Sequence, residues 1–255
     1  MSLSKPIEKS TNNPVVRYYT FSGSTGTLSY YDKETEQKIE VPEGTPFVFI
    51  PTDEKNMIEG YDSKKEMGFR SNEVNSTLKE ELIVRWNSGQ ILTQGFYSDI
   101  KDKVKAQGGK YTKSIYGITK IDGEWQMINL RFKGAAFSAW LNFDNQKTGG
   151  VLGLTIAITK GEQKKTGSIL YFEPKFVAKV TPSDLHSLAC DKDAELQEYF
   201  SNRDTPLSQT KIEELLPEEK ANLVSPTQAK NKNKSKSEQP TQVVDADEDD
   251  FFGDL

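Results

Sequence analysis

Residues 110–133, KYTKSIYGITKIDGEWQMINLRFK, decide the fold class of this chain. Two runs rich in β-branched and aromatic residues flank Asp122-Gly123, a dipeptide that is typical of a type I′ hairpin turn. In the second run Ile128, Leu130 and Phe132 alternate with other residues, which is the period of a half-buried strand. The stretch therefore predicts an antiparallel hairpin with one core face.

Short runs of the same kind precede this hairpin. Residues 16–51 contain closely spaced β-branched and aromatic runs separated by turn residues, which favours antiparallel strands. Residues 52–76 lack a steady period, and we expect them to form an insertion or a long loop. Residues 78–86 fit either a strand or a helix, whereas residues 90–97 predict a strand.

Helices and strands are both predicted after residue 97. The first helix has an N-cap candidate at Ser98, and the pair Gly108-Gly109 favours its end because glycine adopts the left-handed conformation that closes helices. The predicted elements are a helix from Ser98 to that glycine pair, a short Ala-rich helix over 134–141, strands over 151–159 and 169–180 joined by a polar turn at 160–167, and a final helix over 182–200.

The order of these elements indicates the domain organisation. Strands that meet in hairpins, with few helices between them, favour a small barrel or a curved sheet over a doubly wound α/β fold. We expect one mainly β domain over residues 1–200; whether residues 1–84 belong to the same barrel or to a separate lobe stays open. Residues 225–244 contain no aromatic residue, so they cannot offset the entropy of ordering. Residues 201–244 are therefore predicted to be a flexible linker.

Charge is distributed unevenly along the chain. Residues 85–180 carry 15 basic and 7 acidic side chains and 13 of the 26 aromatic residues, whereas residues 245–255 carry six acidic side chains and no basic one. A basic, aromatic-rich region suits single-stranded nucleic acid, because rings stack on bases and cations neutralise phosphates. The alternative is an aromatic belt that supports the core, with lysines that only aid solubility.

Candidate nucleic-acid contacts follow from the faces of the predicted strands. The odd positions of the second hairpin strand place Trp125, Arg131 and Lys133 on one face, opposite the core face. The strand over 169–180 repeats this pattern. The predicted stacking residues are Trp125 and Tyr171, with Tyr111 or Tyr116 as a further one, and the predicted phosphate contacts are Lys113, Lys120, Arg131, Lys133, Lys175, and Lys160, Lys164 and Lys165 at the hairpin tip.

Residues 245–255 form the sharpest motif. Phe251, Phe252 and the final Leu255 accompany an acidic run, a combination that suits a basic pocket with an apolar floor on another protein. The segment also suits the chain's own basic groove, where it competes with nucleic acid. The predicted partner-binding residues are Asp247, Glu248, Asp249, Asp250, Phe251, Phe252, Asp254 and Leu255.

In these residues the chain resembles single-stranded-DNA-binding proteins, chiefly those encoded by bacteriophages. The resemblance rests on the basic, aromatic body, the low-complexity linker, and the acidic tail from Asp247 to Leu255 that ends in hydrophobic residues. It implies an OB-fold body that binds single strands without sequence preference, and a disordered tail that recruits polymerase, helicase or recombination proteins. The implied function is to coat and protect single-stranded DNA in replication, recombination and repair. The tail departs from the bacterial form, which ends in Pro-Phe.

Other functional classes find less support in the sequence. His186 and Cys190 are the only His and Cys, and their spacing predicts a helix-packing pair rather than a nucleophilic or metal site. We expect no enzyme activity, no cofactor and no metal. No apolar run approaches the roughly 20 residues of a membrane span, and the first residues lack a hydrophobic signal region, so we expect a cytoplasmic location. The competing hypothesis is a protein-binding adaptor or inhibitor with a tail that mimics nucleic acid; the oligomeric state stays open, a homodimer included.

Overall fold

The computed structural model describes residues 12–204, which are mainly β-structure. The strands in this part of the chain are β1 (Arg17–Ser22), β2 (Thr27–Asp32), β3 (Gln37–Glu40), β4 (Phe47–Asp62), β5 (Met67–Ser71), β6 (Leu82–Trp86), β7 (Ile91–Gly95), β8 (Gly109–Ile121), β9 (Glu124–Lys133), β10 (Thr155–Thr166) and β11 (Ile169–Lys179). The helices are α1 (Tyr97–Lys105), α2 (Gly134–Asn145) and α3 (Ser183–Asp204). Asn13–Leu196 belong to one compact unit, and Asn12 and residues 197–204 belong to another.

The strands form one sheet, and β4 connects its parts. The strand order is β3-β2-β1-β9-β8-β4-β5-β6-β7, with β10 paired to both β4 and β11. All pairs are antiparallel except β1 with β9, which is parallel. β4 is 16 residues long and pairs with β8 along one edge. Its other edge pairs with β10 near residue 48 and with β5 near residue 60.

The predicted hairpin is confirmed and supports the main core. β8 and β9 pair around Asp122-Gly123, and both turn residues have the positive φ that a type I′ turn requires (51° and 91°). Ile128, Leu130 and Phe132 are fully buried, as their alternation predicts. Phe132 lies 5.7 Å from the ring of Trp140 on α2, so this short helix closes the core against the sheet.

The expectation of a long loop over 52–76 is wrong, because most of this region is β-structure. Residues 52–62 continue β4, and β5 follows after a short turn. β5, β6 and α1 enclose a second core with Ile58, Phe69, Val74, Leu82, Val84, Trp86, Ile100 and Val104. β4 shows no simple alternation because it is covered on parts of both faces: Met57 and Ile58, which are neighbours in the chain, are both buried.

The predicted polar turn over 160–167 is also wrong. β10 continues through these residues to Thr166, and only Gly167 and Ser168 make the turn to β11. The register shifts between Lys160 and Gln163, where the pairing is irregular. Pairing between β10 and β11 satisfies the backbone whatever the polarity of the side chains, so a lysine-rich sequence still forms a strand.

Most of the remaining predictions are confirmed, with two corrections. The N-cap of α1 is Phe96, so the predicted cap Ser98 lies inside the helix. The strand predicted over 151–159 begins only at Thr155, after turns over 151–154.

Residues 78–86 provide the strand β6 and residues 90–97 the strand β7. All three predicted helices form, and α3 runs four residues beyond the predicted end, into the predicted linker. None of the helices in residues 12–204 has the length and hydropathy needed to span a bilayer. The rest of the linker and the acidic tail over 245–255 lie outside the described residues.

Candidate nucleic-acid interface

The candidate site lies on the face of the sheet opposite the main core, which we call the polar face. On β9 this face carries Arg131 and Lys133, and their register partners on β8 are Ser114 and Thr112. On β1 the register partner of Arg131 is Thr20. Side chains of register partners lie side by side on the same face, so β1, β9 and β8 form one continuous surface, whose strands we call the central strands.

Trp125 and Lys120 are register partners at the end of this surface, next to the β8–β9 turn. The indole is partly exposed and the lysine is exposed. The structure therefore places together a flat ring and a cation that the sequence assigned to nucleic acid. Stacking of one base on such a ring contributes about 1–3 kcal/mol by alanine substitution.

Arg131 and Lys133 share the carboxylate of Glu59 on β4. The Arg131 guanidinium lies 3.1 Å from Glu59 Oε2, and Lys133 Nζ lies 2.6 Å from Glu59 Oε1. The guanidinium also covers the ring of Tyr18 at 4.9 Å from its centroid. The side chain of Arg131 is 17% exposed and that of Lys133 is 32% exposed. Glu59 thus holds two cations in place and offsets part of their charge.

The middle of the polar face is not open, which corrects the expectation of a solvated strand face. Asn129 is fully buried and donates from Nδ2 to Ser114 Oγ at 2.7 Å. Ser114 Oγ donates to Glu73 at 2.6 Å, and the Tyr116 hydroxyl donates to the same carboxylate at 2.7 Å. Burial, followed by the charge of Glu73, raises the pKa of Tyr116 far above its ordinary value. Tyr116 is 3% exposed, so it cannot stack on a base in this structure.

Two predicted contacts lie on the core face. The ring of Tyr111 packs between Tyr97 at 5.0 Å and Phe137 at 5.3 Å, and burial raises its pKa. Lys113 Nζ lies 2.7 Å from Glu54. Both predictions are corrected, because these side chains point away from the polar face. In residues 110–121 apolar and polar residues do not alternate regularly, so the sequence did not show which residues face the core.

Glu54 gives Lys113 a structural role. This carboxylate also accepts a hydrogen bond from Trp140 Nε1 at 2.9 Å. The Lys113 side chain is 13% exposed, and that of Glu54 is 17% exposed. Removing either partner of an ion pair with so little exposure destabilises the fold, and a phosphate cannot approach Lys113 without disrupting its contact with Glu54.

The β10–β11 arm carries the remaining predicted residues, spread over both of its faces. Tyr171 is the register partner of Lys164 on one face, and Lys164 is ion-paired with Glu173. Lys160 lies over the ring of Phe172 at 4.3 Å and 2.9 Å from Glu43. Lys165 and Lys175 are exposed, and Tyr171 is partly exposed. The lysines that the sequence placed at a hairpin tip therefore lie on both faces of a strand pair and do not gather at a turn.

Several side chains of the polar face were missed from the sequence. Tyr18 contacts Arg131, and Tyr31 is 61% exposed on β2, two residues from Ser29, the register partner of Thr20. Others lie on the strands formed by the region that was expected to be a loop: Tyr61 on β4 and Arg70 on β5. A local pattern in the sequence could have identified two of the cations. Arg70 follows the apolar Phe69, and Arg85 precedes the apolar Trp86; both aromatic residues are buried, and neighbours in a strand point to opposite faces.

The only His and Cys do not add a second site. Cys190 Sγ lies 3.6 Å from His186 Nδ1 on one face of α3, as the spacing predicts, and both residues are exposed. No group of three or more His, Cys, Asp or Glu side chains within residues 12–204 is arranged to hold a metal ion. Among the described residues, the rings and cations of the polar face are therefore a stronger candidate for a functional site than the His186–Cys190 pair.

Comparisons with known proteins give no assignment. No family model matches the chain, and no curated protein or solved structure matches it either. The functional conclusion therefore depends on the rings and charges of the site.

Proposed function

We propose that this protein binds single-stranded DNA on its polar face and coats the strand during replication or recombination. The observation that carries the proposal is the set of partly exposed rings beside cations on the central strands. Trp125 adjoins Lys120, and Tyr18 adjoins Arg131. Rings offer stacking surfaces to any base and cations neutralise phosphates, which suits binding without sequence preference.

The topology supports the same proposal through a likeness to OB folds. A long first strand (β4) leads to the hairpin β8–β9, then to a helix (α2), and then to a return hairpin whose first strand (β10) pairs back with β4. We propose an OB-like barrel built on these elements, with β1 added parallel to β9. In OB folds the second and third strands form the face that binds oligonucleotides. Their equivalents here are β8 and β9, the strands that carry the candidate site.

The proposed mechanism requires differential affinity and no chemistry. Base faces are accessible only in an unpaired strand, so stacking on Trp125 and Tyr18 favours single-stranded over duplex DNA. A phosphate that approaches Arg131 and Lys133 competes with Glu59 for their N–H donors. Glu59 thereby keeps the two cations oriented before DNA arrives and lowers their net attraction to it.

The tail completes the proposal. Residues 245–255 recruit replication or recombination proteins such as polymerase or helicase, and their acidic residues compete with DNA for the basic surface. The location we propose is cytoplasmic.

A second candidate, a protein-binding adaptor or inhibitor, is favoured by one observation. Five of the eight predicted phosphate contacts, Lys113, Arg131, Lys133, Lys160 and Lys164, are already ion-paired with glutamates. An adaptor has no need of cations that are free to bind phosphate. It predicts no oligonucleotide binding, even after residues 245–255 are removed.

The test is a fluorescence-anisotropy titration of a labelled poly-pyrimidine strand with the full chain at two salt concentrations, so that the signal does not depend on the protein's own tryptophans. In the wild type, quenching of tryptophan fluorescence by the strand reports mainly on Trp125, because Trp86 and Trp140 are buried. We expect salt-sensitive binding that Trp125→Ala weakens by about fivefold or more and Trp125→Phe weakens less, because phenylalanine keeps a stacking surface. Arg131→Ala weakens binding as well, whereas Lys101→Ala on α1 does not. Absence of binding at low salt contradicts the proposal.

A further inference from the structure

The polar face continues beyond the central strands onto β5 and β6. Glu59 on β4 is the register partner of Lys110 on β8 and of Arg70 on β5. Arg70 is in turn the register partner of Arg85 on β6. Because register partners lie on the same face about 4.5–5.5 Å apart at Cβ, these four side chains form a row across the sheet, which we call the basic row.

The basic row is continuous with the candidate site described above. Lys133 is the register partner of Thr112, two residues from Lys110 on the same strand face. Cations therefore follow one another from β9 to β6 across four strand spacings, a distance of about 19 Å. Glu59 is the one acidic member of the basic row, and its carboxylate binds Arg131 and Lys133.

Arg70 and Arg85 are placed against each other without a carboxylate between them. Both are exposed, and neither takes part in a salt bridge with any residue of the described range 12–204. Within residues 12–204, the Arg85 guanidinium donates only to the backbone oxygen of Gly89, at 3.3 Å. Like charges directly opposite in an antiparallel pair destabilise it. An anion bound between the two guanidinium groups removes this repulsion.

The opposite face of the same strands is covered, so the arginines are not part of a core. Phe69 and Trp86 pack edge to face at 5.3 Å, and they share a buried cluster with Ile100 and Val104 of α1. The polar face also presents an aromatic ring, since Tyr61 lies two residues from Glu59 and is 58% exposed. Cations beside an exposed ring are the combination that binds an unpaired strand.

We propose that the inserted strands β5 and β6 extend the DNA-binding surface, so that one single strand runs from the central strands across β4 onto the basic row. Arg70 and Arg85 bind phosphates, and Tyr61 stacks on a base. This inference rests on the proposed function, since it adds a second segment to the same path. It predicts that affinity depends on strand length, because only a long strand reaches both segments.

The test uses the full chain with Arg70→Ala and Arg85→Ala combined, and labelled oligo(dT) strands of about 4 and about 16 nucleotides, the limits of OB-fold site sizes. For the long strand we expect about tenfold weaker binding at low salt. The slope of log affinity against log salt becomes shallower by about 1.4, because two phosphate contacts are lost. The short strand, seated on the central strands, keeps its affinity within about twofold.

The matched control removes two lysines from the other side of the inserted strands. Lys101 and Lys103 are exposed on α1, so the double variant Lys101→Ala, Lys103→Ala changes the net charge equally. It leaves long-strand binding near the wild-type value, and Tyr61→Ala weakens long-strand binding by about fivefold or more. If the Arg70→Ala, Arg85→Ala variant binds the long strand with the same affinity as the Lys101→Ala, Lys103→Ala variant, the inference is wrong.

Two further outcomes separate this inference from the proposed function. If the wild-type chain binds no oligonucleotide, the proposed function fails first. If Arg131→Ala weakens binding of both strands but the arginine variant does not weaken the long one, only the inference fails. A third result would show that the surface does not select a single strand. In that result, the wild type binds a duplex as tightly as a single strand of the same length, and the Arg70→Ala, Arg85→Ala variant loses both to the same degree.

Discussion

The central strands and the inserted strands carry arginines on the same face of one sheet, but their surroundings differ. On the central strands, Arg131 lies against Glu59 and over Tyr18, and its side chain is 17% exposed. On the inserted strands, Arg70 and Arg85 are exposed register partners of each other. One region holds its cations in fixed geometry, and the other presents them to solvent.

The difference shows that the cross-strand neighbours of a cation determine what it offers to a ligand. A held guanidinium is oriented before binding, but its carboxylate must be displaced. A pair of exposed arginines attracts an anion over a longer range, and salt screens that attraction strongly. The central strands are therefore suited to contacts of defined geometry, and the inserted strands to electrostatic capture.

The largest expected effect comes from removing the carboxylate at the centre of the buried polar network. Glu73→Ala leaves the hydroxyls of Tyr116 and Ser114 without their acceptor in a buried site. We expect the free energy of unfolding to fall by about 2–4 kcal/mol, since each buried unsatisfied group costs about 1–3 kcal/mol. Urea denaturation followed by circular dichroism measures this change.

The control for that variant is Glu34→Ala, in the exposed turn between β2 and β3. Such a surface change is expected to stay within about 0.5 kcal/mol of the wild type. Equal midpoints for the two variants would show that the network of the central strands does not support the fold.

A smaller effect is expected when the held cations are released. Glu59→Gln removes the charge that binds Arg131 and Lys133, so both become more attractive to phosphate. We expect oligo(dT) affinity at low salt to increase by about three- to tenfold, with a steeper salt dependence. Fluorescence anisotropy measures the change, and Glu34→Gln serves as the charge-matched control. Weaker binding of Glu59→Gln would mean that orientation by Glu59 matters more than its charge.

The smallest effect concerns alkaline pH. Burial raises the pKa of Tyr116 above its ordinary value of 10.0, and the charge of Glu73 raises it further. A raised pKa in the folded state contributes stability that is present below the unfolded pKa and is lost as the pH rises beyond it. The wild type should therefore lose stability above about pH 10 more steeply than Tyr116→Phe does. Urea midpoints of both proteins, measured from pH 8 upward, give the slope of stability against pH. Equal slopes for the two proteins would contradict the raised pKa of Tyr116.

The core face was predictable to a large extent, whereas the polar face was not. Ile128, Leu130 and Phe132 are buried as their alternation predicts, and Asp122-Gly123 makes the expected turn. By the same alternation Asn129 lies on the face opposite the core, together with Trp125 and Arg131, and yet it is fully buried. Alternation assigns residues to two faces but does not show what covers each face, and here Glu73 reaches Ser114 from 41 residues away in the chain.

The candidate site was predicted only in part. Among its rings the sequence predicted Trp125, whereas the predicted Tyr111 and Tyr116 pack in the interior. Tyr18 and Tyr61 were missed. Trp125 is partly exposed and Lys120 is exposed, and both were predicted as contacts. The register of the hairpin makes them neighbours.

Arg85 was overlooked because residues 78–86 fit either a strand or a helix, and Arg70 because residues 52–76 have no steady period. That region pairs with different strands along its length, so its burial pattern changes from one residue to the next.

The sequence by itself determined the mainly β class, the hairpin, the three helices and the apolar face of β9, because these follow from interactions between residues close in the chain. Tertiary structure alone decided which cations are held and which are exposed. Glu59 is 72 residues from Arg131, and Glu54 is 86 residues from Trp140. A charge is neutralised by the side chain that the fold brings beside it, and that neighbour depends on how the strands pair.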